Sequence, residues 1–274
     1  MAEHELLHGI PSEAYHADPA VSKSRLDLVA QSPAMLAWDA AAPEDEDASS
    51  QVNIGSAFEA LLLEPGRFNQ SYIQDTDKPK NTKEGKSEAQ EIRDRADREG
   101  LEILSPADWR KIRLMMESAM AHPVVRQIMD AGPIPQPSIW WTDAETGLRC
   151  KARPDLMMPE RPLVADIKIT GQIERFANSV HDYRYHVQDA WAVDAFTPVY
   201  GREPASVFIV VSSTLSARKY PVHVYELTRE DRDQGRRLYR RDLETYAHRE
   251  ELGDWTHIEP LTRPGWAWRQ DEQE

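Results

Sequence analysis

Two aspartates and a lysine interrupt the otherwise apolar stretch RPDLMMPERPLVADIKITG, which runs from Arg153 to Gly171. Asp155 opens the stretch, whereas Asp166 and Lys168 lie two residues apart in PLVADIKIT, whose apolar neighbours predict a strand. Alternate residues of a strand share one face, so Asp166 and Lys168 are expected to project to the same side. Charges in such a setting must be paired, bound to a metal or held at an exposed rim.

Asp155 precedes a turn that can return the chain so that it lies beside Asp166. Two close carboxylates repel each other unless a cation lies between them, and oxygen ligands suit Mg²⁺ or Mn²⁺. Such an ion lowers the pKa of bound water and neutralises phosphate charge, while Lys168 orients the water or stabilises the developing anion. The pattern therefore predicts phosphodiester hydrolysis. A surface hairpin in which Lys168 only pairs with an aspartate remains an alternative.

A third acid, Glu59, lies in IGSAFEALLLEP, a predicted helix that is apolar on nearly every side. A lone buried carboxylate is costly unless something compensates its charge, and a metal ion would do so. Gly55 and Ser56 leave room for a close approach on the same helix. The alternative is a helix edge that exposes Glu59 to water.

The elements that must position these residues follow from periodicity. Helical patterns cover residues 21–40, 51–65, 88–99, 105–130, 174–201 and 230–252. After AGPIPQPS the pattern changes to short runs of period two, which predict an antiparallel meander over 138–170 and two later strands. We expect helices packed on a mixed sheet, an α/β or α+β architecture. The chain is interpreted as one domain over 1–274, with a helical lead-in over 1–50, a mobile lysine-rich loop over 75–90 and a tail over 254–274.

The net charge of −14 predicts a surface that repels anions, so any contact with nucleic acid must be local. Lys83 and Lys86 concentrate positive charge in the predicted loop, where they would either grip phosphates or only solvate the chain. Strand alternation places Arg149, Lys151 and Arg153 on one face, leading into Asp155, and these side chains are candidates for holding the scissile strand.

The remaining composition excludes several classes. One cysteine, Cys150, cannot form an internal disulfide framework, and the first residues lack the regions of a signal peptide. No apolar run approaches the roughly 20 residues of a membrane span, so we expect a protein of a reducing cytosol without membrane contact. HELLH, from His4 to His8, matches a zinc-protease motif, but Gly9 and Pro11 end any helix there at once.

Three blocks carry a family resemblance: GSAFEALLLEP, RPDLMMPERPLVADIKIT and DYRYHVQDAW. Their order and spacing resemble those of the PD-(D/E)XK nuclease superfamily. Within it the chain is similar to the RecE-type exonuclease (exonuclease VIII) domain of phage and prophage recombination systems, a relative of the RecB nuclease domain. YHADPAVSKSRLDLVAQSPAMLAW and IEPLTRPGWAW are similar to the ends of that family. The resemblance implies an α/β, restriction-endonuclease-like core with a mixed central sheet flanked by helices.

The resemblance also implies roles for individual residues. Asp155 and Asp166 match the metal-binding acids, Lys168 matches the catalytic lysine, and the backbone carbonyl of Ile167 would complete the metal shell. Glu59 stands where the family usually has a histidine, which leaves an oxygen ligand in place of nitrogen. Gln188 matches the glutamine of a Q-x-x-x-Y helix motif whose tyrosine position is Ala192 here. From the residues alone, Gln188 shares a predicted helical stripe with His181 and Tyr185, and this stripe would face either the site or only a polar surface.

The implied function is a Mg²⁺- or Mn²⁺-dependent exonuclease that degrades one strand of linear double-stranded DNA from 5′ to 3′. It would leave 3′ overhangs for a single-strand annealing partner, form a ring-shaped homo-oligomer and work in the cytosol of a bacterial host. The alternative is a DNA-binding or scaffolding module that kept the nuclease fold and lost turnover. Its support is Glu59 in place of histidine and Ala192 in place of tyrosine.

Overall fold

The computed structural model describes residues 4–43 and 54–271. Its helices in chain order are α1 (Ser12–Ala17), α2 (Lys23–Gln31), α3 (Pro33–Ala41), α4 (Ile54–Leu63), α5 (Pro65–Ser71), α6 (Lys83–Glu99), α7 (Pro106–Ala121), α8 (Pro123–Asp130), α9 (Phe176–Asp182), α10 (Tyr185–Tyr200), α11 (Arg229–Leu252) and α12 (Gly265–Asp271). Its strands are β1 (Glu5–Leu7), β2 (Tyr72–Gln74), β3 (Glu102–Leu104), β4 (Ile134–Pro135), β5 (Ser138–Thr142), β6 (Arg149–Ala152), β7 (Leu156–Met157), β8 (Leu163–Thr170), β9 (Ala205–Ser212) and β10 (Val222–Glu226).

The central sheet is mixed, as the sequence predicts. Its five strands have the order β10-β9-β8-β7-β4. Strands β8 and β9 run parallel over their full length, whereas the other pairs of this sheet are antiparallel. Pro135 lies in the edge strand β4, where a missing backbone N–H is tolerated.

The predicted meander over 138–170 is divided between two sheets. Strands β5 and β6 pair with β1 in a separate three-stranded sheet, while β7 and β8 join the central sheet. The division falls at Arg153 and Pro154, because proline has no N–H with which to continue the ladder of β6. The ends of the two sheets meet here, immediately before Asp155.

Apolar clusters cover both faces of the central sheet. On one face, α4 and α7 pack Phe58 and Ile112 against Ile167 of β8. On the other, α10 packs Val187 and Trp191 among residues of α2, α11 and the small sheet. Helix α10 thus lies opposite α4, with strand β8 between the two layers.

Three predicted helices are interrupted. The helix over 21–40 divides into α2 and α3 before Pro33, and the helix over 105–130 divides before Pro123, because proline excludes the preceding residue from helical geometry. The helix over 174–201 divides at Arg184, whose φ of 53° is left-handed. His181 therefore lies on α9, so the predicted stripe retains only Tyr185 and Gln188 on α10.

The loop that contains the lysine-rich segment is shorter than the predicted range 75–90. Helix α6 begins at Lys83, and the Thr82 side chain caps it by accepting a hydrogen bond from the Gly85 N–H. Residues 1–3 and 44–50 of the lead-in lie outside the described residues, as do residues 51–53 of the helix predicted over 51–65 and residues 272–274 of the tail. The HELLH stretch contains strand β1 rather than a helix, so His4 and His8 lack the one-turn spacing of a zinc motif. Within the described ranges, no helix is long and apolar enough to cross a membrane.

Candidate active site

The register of β7 and β8 brings two carboxylates together. Leu156 pairs with Ala165, so the same antiparallel register continued by one residue places Asp155 opposite Asp166. Oδ2 of Asp155 accepts a hydrogen bond of 2.6 Å from the backbone N–H of Ile167. The sharp turn of the chain after β6 therefore aims Asp155 at the strand that carries the other two predicted residues.

Asp166 is held from two sides. Its side chain is almost completely buried, and Oδ1 accepts a 2.6 Å hydrogen bond from Nε2 of Gln188 on α10. Nζ of Lys168 lies 3.5 Å from the same oxygen, consistent with the shared strand face that alternation predicts. Strand β8 and helix α10 thus bring Asp166, Lys168 and Gln188 into contact.

Lys168 keeps its charge in a buried setting. Burial alone lowers its pKa, but the carboxylates of Asp166 and Asp155 outweigh that effect and raise the pKa above its usual value. Its ammonium group also lies 4.9 Å from the ring centre of Tyr185. A protonated lysine does not act as a general base, so its chemistry here is to orient a polar group or to stabilise negative charge.

Glu59 reaches the same region from α4. Oε1 of Glu59 accepts a 2.8 Å hydrogen bond from Nε2 of Gln136. Burial raises the pKa of Glu59, and the charge of Asp166 adds to the rise. The interaction with Asp166 shows that the helix places its acid within electrostatic reach of the strand.

The three acids form one electrostatic cluster. The pKa of Asp155 is raised well above its ordinary value, first by burial and then by the charges of Asp166 and Glu59. Lys168 offsets only part of this repulsion, since its effect on Asp155 is smaller than that of either acid. A cation in the cluster would relieve the remainder.

The donor chemistry of this cluster fits a hard divalent cation, because carboxylate oxygens are the ligands that Mg²⁺ and Mn²⁺ prefer. Each carboxylate accepts a hydrogen bond from a protein donor: Ile167 N–H, Gln188 or Gln136. Over residues 4–43 and 54–271, no three His, Cys, Asp or Glu side chains stand in an arrangement that could already hold a metal ion.

A cleft of about 670 Å³ opens above the cluster. Glu59, Asp155 and Gln188 are among its lining residues, whereas Asp166 and Lys168 are not. Its cationic lining residues are Lys23, Arg25, Arg67, Lys151 and Arg153. Asp39, Glu59, Glu64 and Asp155 also line the cleft, so its wall has five cationic side chains against four acidic ones, a small excess of positive charge in a protein with a net charge of −14.

The residues predicted to bind DNA occupy different surroundings. Arg149 is exposed and lies 3.2 Å from a carboxylate oxygen of Glu5. Lys151 is only 3% exposed, and its ammonium group donates to the backbone carbonyls of Tyr15 and Asp18. The N-terminal segment thus covers part of the face that alternation assigns to these residues.

Arg153 stacks on the ring of Tyr15 at 4.0 Å and donates hydrogen bonds to the Ser138 hydroxyl and the Ile10 carbonyl. Lys83 and Lys86 are exposed in the first turn of α6. Neither lysine is among the described residues that line the cleft. Of the five residues predicted to contact DNA, Lys151 and Arg153 line the cleft. Both side chains already donate hydrogen bonds to acceptors of the protein.

Sequence reasoning missed Gln136 and Arg67. Gln136 lies in AGPIPQPS, whose composition indicates a turn and gives no signal for the side chain. Arg67 lies on α5, where a single exposed arginine is ordinary. Nη1 of Arg67 donates to Oε1 of Gln136 at 3.2 Å, so both residues adjoin Glu59 only through tertiary structure.

Residues 22–256 match the model of a family described as "PDDEXK-like domain of unknown function (DUF3799)". The chain belongs to this family. The match spans every residue of the carboxylate cluster and confirms the superfamily that the motifs predict. For this PDDEXK-like chain, a comparison with curated proteins gives no match.

The PDDEXK-like chain is also similar in fold to a crystal structure described as "Putative exonuclease" from Eubacterium rectale. The TM-score is 0.59 at 11% sequence identity, and the alignment covers 93% of this chain and 95% of that one. At this identity the likeness shows the fold alone. It confirms the mixed α/β architecture expected for the PDDEXK-like domain.

Proposed function

We propose that the protein is a metal-dependent exodeoxyribonuclease that acts on linear double-stranded DNA. The observation that carries the proposal is the convergence of Asp155, Asp166 and Lys168, of which Asp155 lines a cleft that five cationic side chains also line. Family membership supports a nuclease, and the described neighbour supports the exonuclease class.

Asp155 and Asp166 would hold Mg²⁺ or Mn²⁺ together with the backbone carbonyl of Ile167. Glu59 would complete the set after its side chain rotates toward the ion, because no three acids of the described residues already stand in a metal-binding arrangement. When bound, such an ion lowers the pKa of coordinated water and neutralises phosphate charge. Lys168 remains protonated and stabilises the anion that develops at the scissile phosphate. Gln188 fixes the orientation of the Asp166 carboxylate.

The substrate would lie along the cleft. Lys23, Arg25 and Arg67 line its wall. Lys23 pairs with Asp27 at 2.6 Å and Arg67 with Glu64 at 3.1 Å, so a phosphate would compete with these acids for the two side chains. Phosphate neutralisation of this kind gives affinity that falls steeply with salt. The acidic remainder of the surface would restrict DNA to this region, because charges beyond a Debye length of about 8–10 Å act weakly.

The finer features of the proposal derive from the RecE-type resemblance: 5′ to 3′ polarity, 3′ overhangs, a single-strand annealing partner, a ring-shaped homo-oligomer and a bacterial host cytosol. The tail supports a subunit contact, since Ile258 and Leu261 are 94% and 99% exposed. Light scattering on the full chain would give the oligomer mass, with Leu261→Asp as the variant expected to reduce it. An unchanged mass for the variant would remove the tail from the subunit contact.

The second candidate is a DNA-binding or scaffolding module without turnover. The observation that favours it is that protein donors already occupy all three carboxylates. This candidate predicts salt-dependent DNA binding with no release of nucleotides in Mg²⁺ or Mn²⁺.

The test compares end-labelled linear duplex with closed circular DNA in the presence and absence of Mg²⁺ or Mn²⁺. An exonuclease releases nucleotides from the linear substrate and spares the circle. Asp166→Ala and Lys168→Ala should each lower the rate of this release by about 100-fold or more. Cleavage of the circle would replace the proposal with an endonuclease, and DNA binding without any metal-dependent cleavage would favour the module.

A further inference from the structure

Gln136 joins two elements of the carboxylate cluster. It lies between β4 and β5, and its backbone N–H donates a 2.8 Å hydrogen bond to the carbonyl oxygen of Asp155. Its side chain donates to Oε1 of Glu59 at 2.8 Å. One residue therefore contacts both the backbone that carries the first acid and the carboxylate that arrives from α4.

The backbone of Gln136 adopts an unfavourable conformation to make these contacts. Its φ is 44°, in the left-handed region that residues with a Cβ rarely enter. Such conformations cost free energy and persist where surrounding interactions hold them. Glycine would adopt the same geometry more easily, but it would lack the amide that reaches Glu59.

The orientation of the amide is fixed by its second contact. Arg67 donates to Oε1 of Gln136, so the oxygen of the amide faces the guanidinium and the nitrogen faces Glu59. A glutamine here orients the carboxylate without neutralising it, because its amide is uncharged. A lysine or arginine in its place would supply the positive charge that a metal ion is expected to supply.

We propose that Gln136 is a positioning residue that holds Glu59 in place relative to Asp155 for binding a divalent cation. The proposal rests on the metal-dependent function proposed above and adds a residue outside the cluster of acids. Gln136 acts through Glu59, with Arg67 setting the direction of its amide.

The experiment measures metal affinity rather than cleavage. The full-length wild-type chain and Gln136→Gly are titrated with Mn²⁺, following heat release by calorimetry and the rise in Tm. Gln136→Gly should keep or raise the metal-free Tm, because glycine relieves the backbone strain. Its midpoint for Mn²⁺ should weaken by about 10- to 100-fold, the range found when groups that orient metal ligands are removed.

Ala217→Gly is the matched control, since Ala217 is exposed and also has a left-handed φ, of 48°. It should leave the Mn²⁺ midpoint unchanged. Gln136→Asn is a second variant, because asparagine tolerates a left-handed φ but its shorter side chain withdraws the amide from Glu59, and it should weaken the midpoint by a few-fold. It serves as the test if Gln136→Gly does not fold.

The outcomes separate the two proposals. A wild-type chain that binds no Mn²⁺ would overturn the metal-dependent function itself. A wild-type chain that binds Mn²⁺, alongside Gln136→Gly and Gln136→Asn variants with the same midpoint, would overturn the role of Gln136 alone. If Gln136→Gly has a lower metal-free Tm than the wild type but the same Mn²⁺ midpoint, Gln136 only stabilises the fold.

Discussion

The side-chain amide of Gln188 donates to Oδ1 of Asp166, the same oxygen that lies 3.5 Å from Nζ of Lys168. Two donors from different elements therefore converge on one carboxylate oxygen. This arrangement fixes the rotation of the Asp166 carboxylate, and it links the geometry of the strand β8 to the position of helix α10.

Gln188→Ala should reduce metal-dependent cleavage by about 10- to 100-fold, because the Asp166 carboxylate loses the donor that orients it. The Mn²⁺ midpoint should weaken in parallel. Cleavage rates on end-labelled duplex and calorimetric titration measure the two effects. Gln90→Ala on the exposed face of α6 is the control, and an equal effect of both substitutions would contradict a specific role for Gln188.

Lys168→Met should lower kcat by about 10²- to 10³-fold while metal binding becomes tighter. The loss follows from removing a positive charge that stabilises the developing anion, whereas the tighter binding follows because the same charge repels a cation. Single-turnover cleavage and Mn²⁺ titration test the pair of effects. Lys219→Met in the exposed turn before β10 should change neither quantity.

Asp155→Asn should stabilise the metal-free protein at neutral pH. Burial and the neighbouring carboxylates raise the folded-state pKa of Asp155, so the folded chain holds this proton more tightly than the unfolded chain. Stability is therefore lost as pH rises from the unfolded value of roughly 3.9 through the raised pKa, and asparagine avoids that loss. The Tm should rise by about 2–4 °C for each kcal/mol of repulsion removed.

The measurement for Asp155→Asn is a series of thermal melts across pH in chelator and in Mg²⁺. The advantage of the variant should vanish at pH values below the unfolded pKa. Added Mg²⁺ should raise the Tm of the wild type by mass action but have little effect on the variant. A variant that is less stable than the wild type at neutral pH would show that the carboxylates do not repel one another in the folded chain.

Arg67→Ala should weaken DNA binding and reduce the slope of log K against log salt by about 1, as expected when one phosphate contact is lost. Binding of a labelled duplex in Ca²⁺ or chelator, at several salt concentrations, gives the slope. Arg95→Ala is a matched control, because Arg95 is an exposed residue of α6 that pairs with Glu99 as Arg67 pairs with Glu64. Equal slopes for the two variants would place the DNA elsewhere.

Local patterns predicted the strand β8 well. The apolar run around Asp166 and Lys168 specified a buried strand, and its period of two placed both side chains on one face. Prolines 33 and 123 interrupted helices that periodicity alone had joined, although proline chemistry predicts such breaks. No such sequence signal marks the break at Arg184. Its left-handed backbone is stabilised by contacts of its side chain with Asp27 and Asp242, which lie far away in the sequence.

Long-range contacts account for what the sequence did not reveal about the site. Alternation assigned Lys151 to the face leading into Asp155, but the N-terminal segment folds over that face and supplies carbonyl acceptors to the lysine. Gln136 gained its contact with Glu59 from the docking of α4. Neither contact has a counterpart in periodicity, composition or motif spacing.

The separation of Glu59 from Gln136 by 77 residues has a consequence for biosynthesis. Glu59 leaves the ribosome long before the turn and the strands that complete its surroundings, so the nascent chain carries an isolated acid on an apolar helix. A chain released before Leu163 would lack both Asp166 and Lys168. The order of these residues along the chain therefore delays completion of the carboxylate cluster until strand β8 has been synthesised.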